Sequence, residues 1–359
     1  MATAQRPVPV RDRRDRAPRD ETATPPARLV EPADVRGRCV SESDAADLVP
    51  PEAKRRRGIR WKAVIGLASM AGLIVVTVTT VSDASEQALP GVLPLVIALA
   101  LQFVAMMCAA RGWVALFPGD ADRTALSHGL YASQLTKYLP AGGFVQAASQ
   151  VALSSETTSV GAAALRLPVF SVCSVAAAAT VGSVLAFADA LPGWARLLAI
   201  LGLCLLALLD RRVMAAALRL ARRLVGRLPG PEHLPDQRAI LRCYFYVLVN
   251  QVAYATAFVV LVGDLGDVDL LAAGAAFSAG WAIGYLALPL PSGLLVREAV
   301  LIAALPGLAT ATLLAASVAH RLTGFLAEAT LAVRSHVRTG RRGRTAASAE
   351  GTSTDATGG

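Results

Sequence analysis

The sequence predicts an all-α membrane protein, a polytopic helical bundle of about eight spans with one or two re-entrant or broken helices. Of its 359 residues, 54% are hydrophobic and only 17% are charged, whereas a soluble domain of this size would carry more charge. Several stretches approach the roughly 20 apolar residues that a bilayer core requires. The net charge of +9 is concentrated in the tails and in one loop, where membrane topology, not nucleic-acid binding, accounts for it.

The chain divides into two tails and a membrane domain. Residues 1–60 are rich in Arg, Asp, Pro and Ala and are expected to be disordered. They end in the basic run 54–62, which predicts a cytoplasmic N-terminus and acts either as a plain topology anchor or as a site for anionic lipid head groups. Residues 61–335 are the membrane domain, and residues 336–359 are a second disordered tail. The first apolar stretch begins near residue 63, too late for a cleaved signal peptide, so we expect it to stay in the protein.

Spans are expected where apolar stretches are flanked by suitable charges. Turns without Lys or Arg, such as 263–269, belong outside, and the Arg-rich loop after residue 210 belongs inside. Residues 211–227 of that loop are predicted to form an amphipathic surface helix. A stretch of about 14 residues, 295–308, would cover only about 21 Å of a core of about 30 Å, so we expect a half-helix there. If it crosses, the loop charges alternate consistently for a multi-pass protein of the cytoplasmic membrane with both termini inside. The other expected spans are 63–81, 91–110, 160–188, 195–210, 240–262, 270–290 and 311–333.

The segment 124–150 cannot be an ordinary span, although it lies in an apolar part of the chain. Lys137 carries a full charge, Pro140 removes an amide donor, and Gly142 and Gly143 are expected to release the backbone from helix. Polar residues lie at helical spacing on both sides of this break: Tyr131, Gln134, Tyr138, Gln146 and Gln150. The pattern predicts two short helical arms joined by an elbow. The segment is either re-entrant, with protein or a water-filled cavity satisfying its backbone, or an interfacial loop on the cytoplasmic face.

A second break follows the sixth expected span. Pro291 and Gly293 end that span, and Arg297 and Glu298 appear within the next turn. A half-helix starting near Gly293 would point its positive end at the break, and together with Arg297 this favours an anion, for which phosphate is the obvious candidate. Glu298 is expected to partner Arg297, Lys137 or a proton. The alternative is a cytoplasmic loop whose Arg and Glu are simply solvated.

The last expected span contains His320, Arg321 and Glu328. Arg321 and Glu328 are seven residues apart, which places them on one face of a helix, two turns from each other. An unpaired charge at mid-bilayer costs on the order of 3 kcal/mol on insertion scales, so Arg321 requires a cavity or a partner. The two residues are interpreted either as part of a substrate pathway or as a structural Arg–Glu pair that locks helix packing.

The other polar residues do not indicate an enzyme. The five cysteines are scattered and form no CxxC pair, so neither a disulfide framework nor a zinc site is suggested. The sequence has no recognisable nucleotide-binding loop, metal-ligand cluster or Ser/His/Asp arrangement, so we expect no catalysis and no cofactor. Two broken helices that carry polar residues are typical of a transporter, whose substrate site lies where the broken elements meet.

At these two segments the chain resembles the flippase-like transmembrane region of the bacterial lysylphosphatidylglycerol synthases, which also occurs as stand-alone membrane proteins. The family's Lys-Tyr-(aliphatic)-Pro-Gly-Gly motif is matched by Lys137, Tyr138, Leu139, Pro140, Gly142 and Gly143. Its Pro-Gly-Gly-(aliphatic)-Gly-(Val)-Arg-Glu motif is matched by Pro291, Gly293, Leu294, Val296, Arg297 and Glu298. The resemblance covers about residues 60–335. The chain departs from the family pattern at Ala141, at Ser292 and Leu295, which replace glycines, and at Ser149-Gln150, where a Gly-Arg pair is common.

The resemblance implies translocation of an amphipathic lipid between leaflets without its synthesis, since the stand-alone form lacks the synthase domain. The lipid would be an anionic phospholipid or a polyprenyl-phosphate-linked molecule. Lys137 and Arg297 would bind the head group, Glu298 and the Arg321/Glu328 pair would gate or neutralise, and the Pro/Gly elbows would hinge. The expected substrate-binding residues are Lys137, Tyr138, Pro140, Gly142, Gly143, Pro291, Gly293, Arg297, Glu298, Arg321 and Glu328. The alternative is a non-transporting membrane subunit that docks a glycosyl- or aminoacyl-transferase and its lipid-linked substrate.

Overall fold

The computed structural model describes residues 89–138, 142–155, 158–185, 193, 202–225, 230–286 and 296–355, with side chains as far as residue 338. Every regular element within these ranges is helical, which confirms the all-α fold class. The tail 1–60, its basic run and the first expected span 63–81 lie outside the described residues, so what the sequence indicates for them stays a prediction.

Nine α-helices occur within the described ranges, and we number them in chain order. They are α1 Val92–Ala115, α2 Arg123–Gln134, α3 Gly142–Ser154, α4 Val160–Leu185, α5 Arg211–Val225, α6 Gln237–Leu265, α7 Leu270–Leu286, α8 Val296–Ala304 and α9 Thr310–Asp355. Short 3-10 turns lie at Leu135–Tyr138, Cys204–Leu209 and Pro231–His233.

Three helices are long and apolar enough to cross a membrane: α1, α4 and α6. They fall where the sequence predicts the second, third and fifth spans. At about 1.5 Å per residue, the 24 residues of α1 cover about 36 Å, more than a hydrocarbon core of about 30 Å. Helix length and composition thus fit a membrane protein, while the number of crossings and the side of each terminus stay predictions.

Helices α1 and α6 pack against each other in opposite directions along their whole length. Near the start of α1, the Gly91 amide donates to Asp264 Oδ2 at the end of α6, 2.7 Å away. Near the middle, Asn250 Nδ2 donates to the carbonyl oxygen of Ala105 at 2.9 Å. Near the end of α1, a methyl group added at Gly112 would lie 3.0 Å from the Val247 side chain. The glycine therefore permits the close approach of the two helices.

Helix α4 runs parallel to α6, and α7 runs opposite to α4. Thr180 and Tyr244 share a hydroxyl–hydroxyl hydrogen bond of 2.8 Å, and the Cys173 thiol donates to a carbonyl oxygen of α6 one turn earlier, at Ile240. Ser171 and Tyr285 are hydrogen-bonded at 3.0 Å, whereas the later α4 residue Gly182 faces the earlier α7 residue Ser278. These relative directions are the ones that the loop charges predict for the third, fifth and sixth expected spans.

Helix α9 runs opposite to α6 and crosses the centre of the bundle. Its first turn reaches Gly266 at the end of α6 through Thr312, and His320 Nε2 lies 3.1 Å from the carbonyl oxygen of Tyr254, near the middle of α6. The stretch around His320 and Arg321 is buried. The last expected span thus lies within α9, in the interior of the described bundle.

Apolar side chains fill the interior and also cover the outside of the spanning helices. Trp113 packs edge-on against Phe117 and Phe170, with ring centroids 5.0 and 5.6 Å apart, between α1 and α4. Large apolar side chains also remain exposed on α1 and α6, for example Leu93 and Phe245. Exposed apolar side chains on apolar helices are what a lipid environment requires.

Two element bounds differ from what the sequence predicts. The expectation that Gly142 and Gly143 interrupt the helix is wrong, because α3 begins at Gly142; glycine is tolerated in a first helical turn whose amides have no partner within the helix. Helix α9 runs on to Asp355, through a tail that composition predicts to be disordered. Prolonging a helix that is already packed avoids the nucleation cost that an isolated segment would meet.

The other short helices agree with the sequence analysis. Helices α2 and α3 are the two predicted arms on either side of residues 139–141, which lie outside the described residues. Helix α5 is the predicted surface helix, and Asp210 caps it by accepting a hydrogen bond of 2.6 Å from the Arg212 amide. Its Leu220 and Leu224 are exposed. Helix α8 has nine residues and is about 13.5 Å long, which fits the expected half-helix.

Candidate functional site

A cavity of about 210 Å³ lies inside the helical bundle, and α1 to α4 and α6 to α9 all contribute to its wall. Six of the eleven expected substrate-binding residues line this cavity: Lys137, Tyr138, Gly143, Arg297, Arg321 and Glu328. Residues from the two breaks, more than 150 positions apart in the chain, therefore face one space. Their role in binding stays a prediction.

The first group of charges centres on Glu328 of α9, whose side chain is 1% exposed. Lys137, on the 3-10 turn that follows α2, forms an ion pair with this carboxylate and also approaches Gln134 Oε1 at 3.5 Å. Tyr138 donates its hydroxyl to Glu328 Oε2 at 3.2 Å, and Tyr254 of α6 donates to Oε1 at 3.5 Å. Glu328 thereby ties the end of the first broken segment to α9 and α6.

The second group of charges centres on Glu298, at the start of α8. Arg321 Nη2 lies 2.8 Å and Arg297 Nη2 lies 3.4 Å from the same carboxylate oxygen, Glu298 Oε1. Ser317 of α9 links the two partners, because its hydroxyl donates to Glu298 at 2.7 Å and accepts from Arg297 at 2.9 Å. The alternative that Arg297 and Glu298 are simply solvated in a loop is wrong, since Arg297 is 7% exposed.

The expected Arg321–Glu328 pair is replaced by two other pairs. Arg321 is paired with Glu298, and Glu328 is paired with Lys137. Seven residues of helix separate Arg321 from Glu328 by about 10.5 Å along the axis, so each meets a charge that another element brings closer. Of the three options for Glu298, the structure shows Arg297, together with Arg321.

The start of α8 is packed tightly into the middle of the bundle. The guanidinium of Arg297 lies over the Phe277 ring, 5.3 Å from its centroid, a cation–π arrangement. A methyl group added at Gly280, in the middle of α7, would lie 3.2 Å from both Arg297 Cγ and its carbonyl oxygen. Arg297 Nε is buried and has no hydrogen-bond partner among the described residues. One donor of this cation is thus left unused at the cavity wall.

The charges that the described residues bring to the cavity and its ion pairs do not cancel. Lys137, Arg297 and Arg321 supply three positive charges, and Glu298 and Glu328 supply two negative charges. A net charge of +1 in a buried space favours an anion, and guanidinium groups suit phosphate and carboxylate because of their several donors in one plane. The arrangement can hold one additional negative group.

Some selected residues cannot be placed. Pro140, Pro291 and Gly293 lie outside the described residues, so their part in the site stays a prediction. Gly142 belongs to the first turn of α3, and Gly143 beside it lines the cavity. Residues that flank the two breaks in the chain therefore line one cavity.

The sequence analysis missed several residues of this site. Tyr254 and Ser317 hold the two carboxylates, and Gln102 of α1 lines the cavity with Nε2 2.9 Å from His320 Nε2. Gln102 could have been recognised as a polar residue within an apolar span. Tyr254 follows Asn250 by four positions and therefore lies on the same helix face. Ser317 carries no such signal, because a serine in a helix also bonds to its own backbone.

The fold and the site together define a helical membrane protein with a buried, net positive cavity. Searches of protein-family models, of curated proteins and of solved structures find no match to the chain. Within the part of the chain that the structure describes, no group of three or more His, Cys, Asp or Glu side chains could hold a metal ion. The cavity residues themselves are therefore the basis for a functional proposal.

Proposed function

We propose that this protein is a multi-pass protein of the cytoplasmic membrane that binds a phosphate-bearing lipid and moves it between the two leaflets. The observation that carries the proposal is that Lys137, Arg297 and Arg321 line one cavity within a bundle that contains three helices of spanning length. Ionisable groups inside a membrane bundle usually mark the path of a substrate or an ion. A lipid phosphate supplies the missing negative charge.

The donors at the cavity suit a phosphodiester. Lys137 offers an ammonium group at the cavity wall, and Arg297 offers a guanidinium whose Nε–H has no partner among the described residues. We assign these two residues to the lipid phosphate. Glu298 and Glu328 keep the cations in place and neutralise them when the phosphate is absent. The acyl chains would leave the cavity toward the bilayer, where the outer faces of the helices are apolar.

The movement of a lipid head group requires a polar site in the middle of the bilayer, which broken helices provide in transporters. Helix α8 begins at the level of Gly280, ten residues into α7, and carries Arg297 to that depth. The turn Leu135–Tyr138 carries Lys137 to the same cavity. From the sequence we propose that Pro140 and residues 291–293 act as hinges, since they lie close in the chain to Lys137 and Arg297.

A lipid-scrambling assay in proteoliposomes tests the proposal. Vesicles that contain fluorescently labelled phosphatidylglycerol are treated with dithionite, which bleaches only the outer leaflet. The wild-type protein should expose the inner label, and Lys137→Ala and Arg297→Ala should each slow this at least about tenfold, the loss expected for one charge-assisted contact. Arg334→Ala is the matched control, because Arg334 is an exposed cation on α9. Wild-type rates in both cavity variants would contradict the residue assignment.

The docking-subunit alternative has one observation in its favour. Helix α5 exposes Leu220 and Leu224 beside Arg222 and Arg223, a mixed surface that a soluble partner could cover. Purification in a mild detergent separates the two proposals. A stoichiometric transferase partner, together with no lipid movement by the chain alone, would favour docking over translocation.

A further inference from the structure

Five of the described side chains that line the cavity are amides: Gln102, Gln134, Gln146, Gln150 and Asn250. An amide offers a donor N–H and an acceptor C=O, whereas a phosphodiester offers only acceptors. A lipid phosphate alone can therefore complement at most the donor half of this wall. The amides call for a ligand group that both donates and accepts.

Two of these amides already form hydrogen bonds with other groups of the protein. Asn250 Nδ2 donates to the carbonyl oxygen of Ala105 at 2.9 Å and joins α6 to α1. Gln134 Oε1 accepts from Lys137 Nζ at 3.5 Å. Asn250 and Gln134 therefore give no information about the ligand.

Gln150 and Gln102 differ, because each keeps a buried polar atom with no partner in the described part of the chain. Gln150 is 2% exposed and its Nε2 is unpartnered; Gln102 is 1% exposed and its Oε1 is unpartnered. Gln102 Nε2 donates to the carbonyl oxygen of His320 at 3.2 Å, which fixes the oxygen as the unused end. Gln150 therefore lacks an acceptor, and Gln102 lacks a donor. A phosphate oxygen can serve only the first.

An aromatic wall lies on the α7 side of the same cavity. The rings of Trp281 and Tyr285 are stacked, with centroids 5.0 Å apart and an interplanar angle of 17°. The Tyr285 hydroxyl is held by Ser171 at 3.0 Å, so the ring position is fixed. Rings of this kind present an apolar surface beside a polar tip. Such a surface suits the C–H face of a saturated ring whose edge carries hydroxyls.

We infer that the lipid of the proposed function carries a sugar or a cyclic polyol next to its phosphate. Hydroxyls on this ring donate to Gln102 Oε1 and accept from Gln150 Nε2, and its C–H face packs on the aromatic wall. The inference rests on the proposed function, which places the phosphate at Lys137 and Arg297. An amine-bearing head group fits less well, because an ammonium donates but does not accept, and the three cavity cations repel it.

Binding of two lipids that differ only in the head group tests this inference. Phosphatidylinositol and phosphatidylethanol each carry one phosphodiester charge, but only the first has ring hydroxyls. Their affinities for the full-length protein in detergent are compared by native mass spectrometry. At about three- to tenfold for each added hydrogen bond, phosphatidylinositol should bind about tenfold or more tightly than phosphatidylethanol. Gln102→Leu and Gln150→Leu each remove one of the two bonds and should each lower the ratio about three- to tenfold, and the double variant should bring it to within about threefold.

Gln251→Leu is the matched control. Gln251 lies on α6, is 1% exposed and has an Nε2 without a partner among the described residues, but it does not line the cavity. This variant should keep the wild-type preference for phosphatidylinositol.

Equal binding of both lipids by the wild-type protein would overturn the inference and leave the proposed function standing. Binding of neither lipid would overturn the proposed function as well. If a leucine variant fails to fold, the comparison of the two lipids on the wild-type protein decides alone.

Discussion

Three donors converge on the carboxylate of Glu328: the ammonium of Lys137 and the hydroxyls of Tyr138 and Tyr254. A buried carboxylate needs such partners, because an unpaired charge in a low-dielectric interior is strongly destabilising. The same carboxylate also occupies the place that an anionic ligand needs in order to reach Lys137. At the scale of residues, the proposed binding of a lipid phosphate to Lys137 would therefore have to compete with Glu328 for one cation.

The competition predicts that Glu328→Gln binds an anionic lipid more tightly. The amide still accepts hydrogen bonds but carries no charge, so the net charge of the cavity rises from +1 to +2. Affinity for phosphatidylglycerol in vesicles should increase about three- to tenfold, equivalent to about 0.7–1.4 kcal/mol. The unfolding temperature should fall, because Lys137 loses its partner. Glu232→Gln is the control, since Glu232 is an exposed carboxylate that does not line the cavity. Unchanged or weaker lipid binding in Glu328→Gln would argue against competition.

Ser317 gives a second prediction at the same scale. Its hydroxyl joins Arg297 to Glu298, so Ser317→Ala removes two hydrogen bonds and leaves two buried charged groups less well satisfied. We expect a loss of about 1–3 kcal/mol in the free energy of unfolding. Thr330→Ala, in the same helix, changes an exposed hydroxyl that bonds only to the Leu326 carbonyl among the described atoms. Its effect should be below about 0.5 kcal/mol. Equal effects of the two variants in detergent unfolding experiments would contradict a bridging role for Ser317.

At the scale of elements, the position of α8 decides where the second group of charges lies. The helix is only nine residues long, so its own backbone hydrogen bonds cannot fix it in place. It is held instead by close packing on α7, where Gly280 has no side chain to keep α8 away. The absence of a Cβ at this position lets Arg297 and Glu298 reach α9.

This packing predicts that Gly280→Ala disturbs the site although no charged residue is changed. The added methyl would lie 3.2 Å from Arg297 Cγ and from a rigid backbone oxygen, so α8 must shift. We expect a loss of about 1–3 kcal/mol in stability, together with slower lipid scrambling. Gly161→Ala is the matched control, because Gly161 lies in α4 and a methyl there meets nothing within 4 Å. That change should be neutral or stabilise the protein by up to about 1 kcal/mol. Equal stabilities of the two variants would exclude tight packing at Gly280.

At the scale of the whole molecule, the helix directions and the loop charges agree. Helices α1, α7 and α9 run one way, and α4 and α6 run the other way, as hydrogen bonds and close contacts between them show. The acidic turn around Asp267 therefore lies at the opposite end of the bundle from the Arg-rich helix α5, which precedes α6. Positively charged loops stay in the cytoplasm, so the α5 end should face inward.

Labelling of introduced cysteines tests this orientation. In a Cys39→Ser, Cys204→Ser background, Asp267→Cys should react with a membrane-impermeant maleimide in intact cells. Arg219→Cys, at a position that is also exposed, should react only after the cells are permeabilised. The remaining cysteines, Cys108, Cys173 and Cys243, are buried and should give little background. The reverse pattern of labelling would place the termini outside.

The sequence predicts the fold class and selects Lys137 and Arg297, which line one cavity, because both predictions depend on strong local signals. Apolar runs of spanning length mark α1, α4 and α6, and charges next to Pro and Gly mark Lys137 and Arg297 as unusual. The pairing of those charges could not be predicted. Arg321 and Glu328 share a helix face, but their partners come from α8 and from the turn after α2, and packing between distant elements decides the pairing.

The glycines show the same limit of local reasoning. Gly142 and Gly143 weaken a helix by propensity, yet they lie in the first turn of α3, where that cost is small. Gly280, by contrast, has no special signal in an apolar stretch, and its importance depends on α8 lying against it. Of the two glutamines with an unpartnered buried atom among the described residues, the sequence analysis selects only Gln150, because it lies beside a recognised break. Gln102 lies alone within an expected span.

The ion pair between Lys137 and Glu328 has a mechanical consequence. It fastens the turn Leu135–Tyr138 to the long central helix, so this turn cannot swing away while the pair is intact. A phosphate that captured Lys137 would undo that fastening at the moment of its arrival. Binding of the lipid and release of the turn from α9 would then occur in one step, and the turn would stay bound to α9 while no lipid is present.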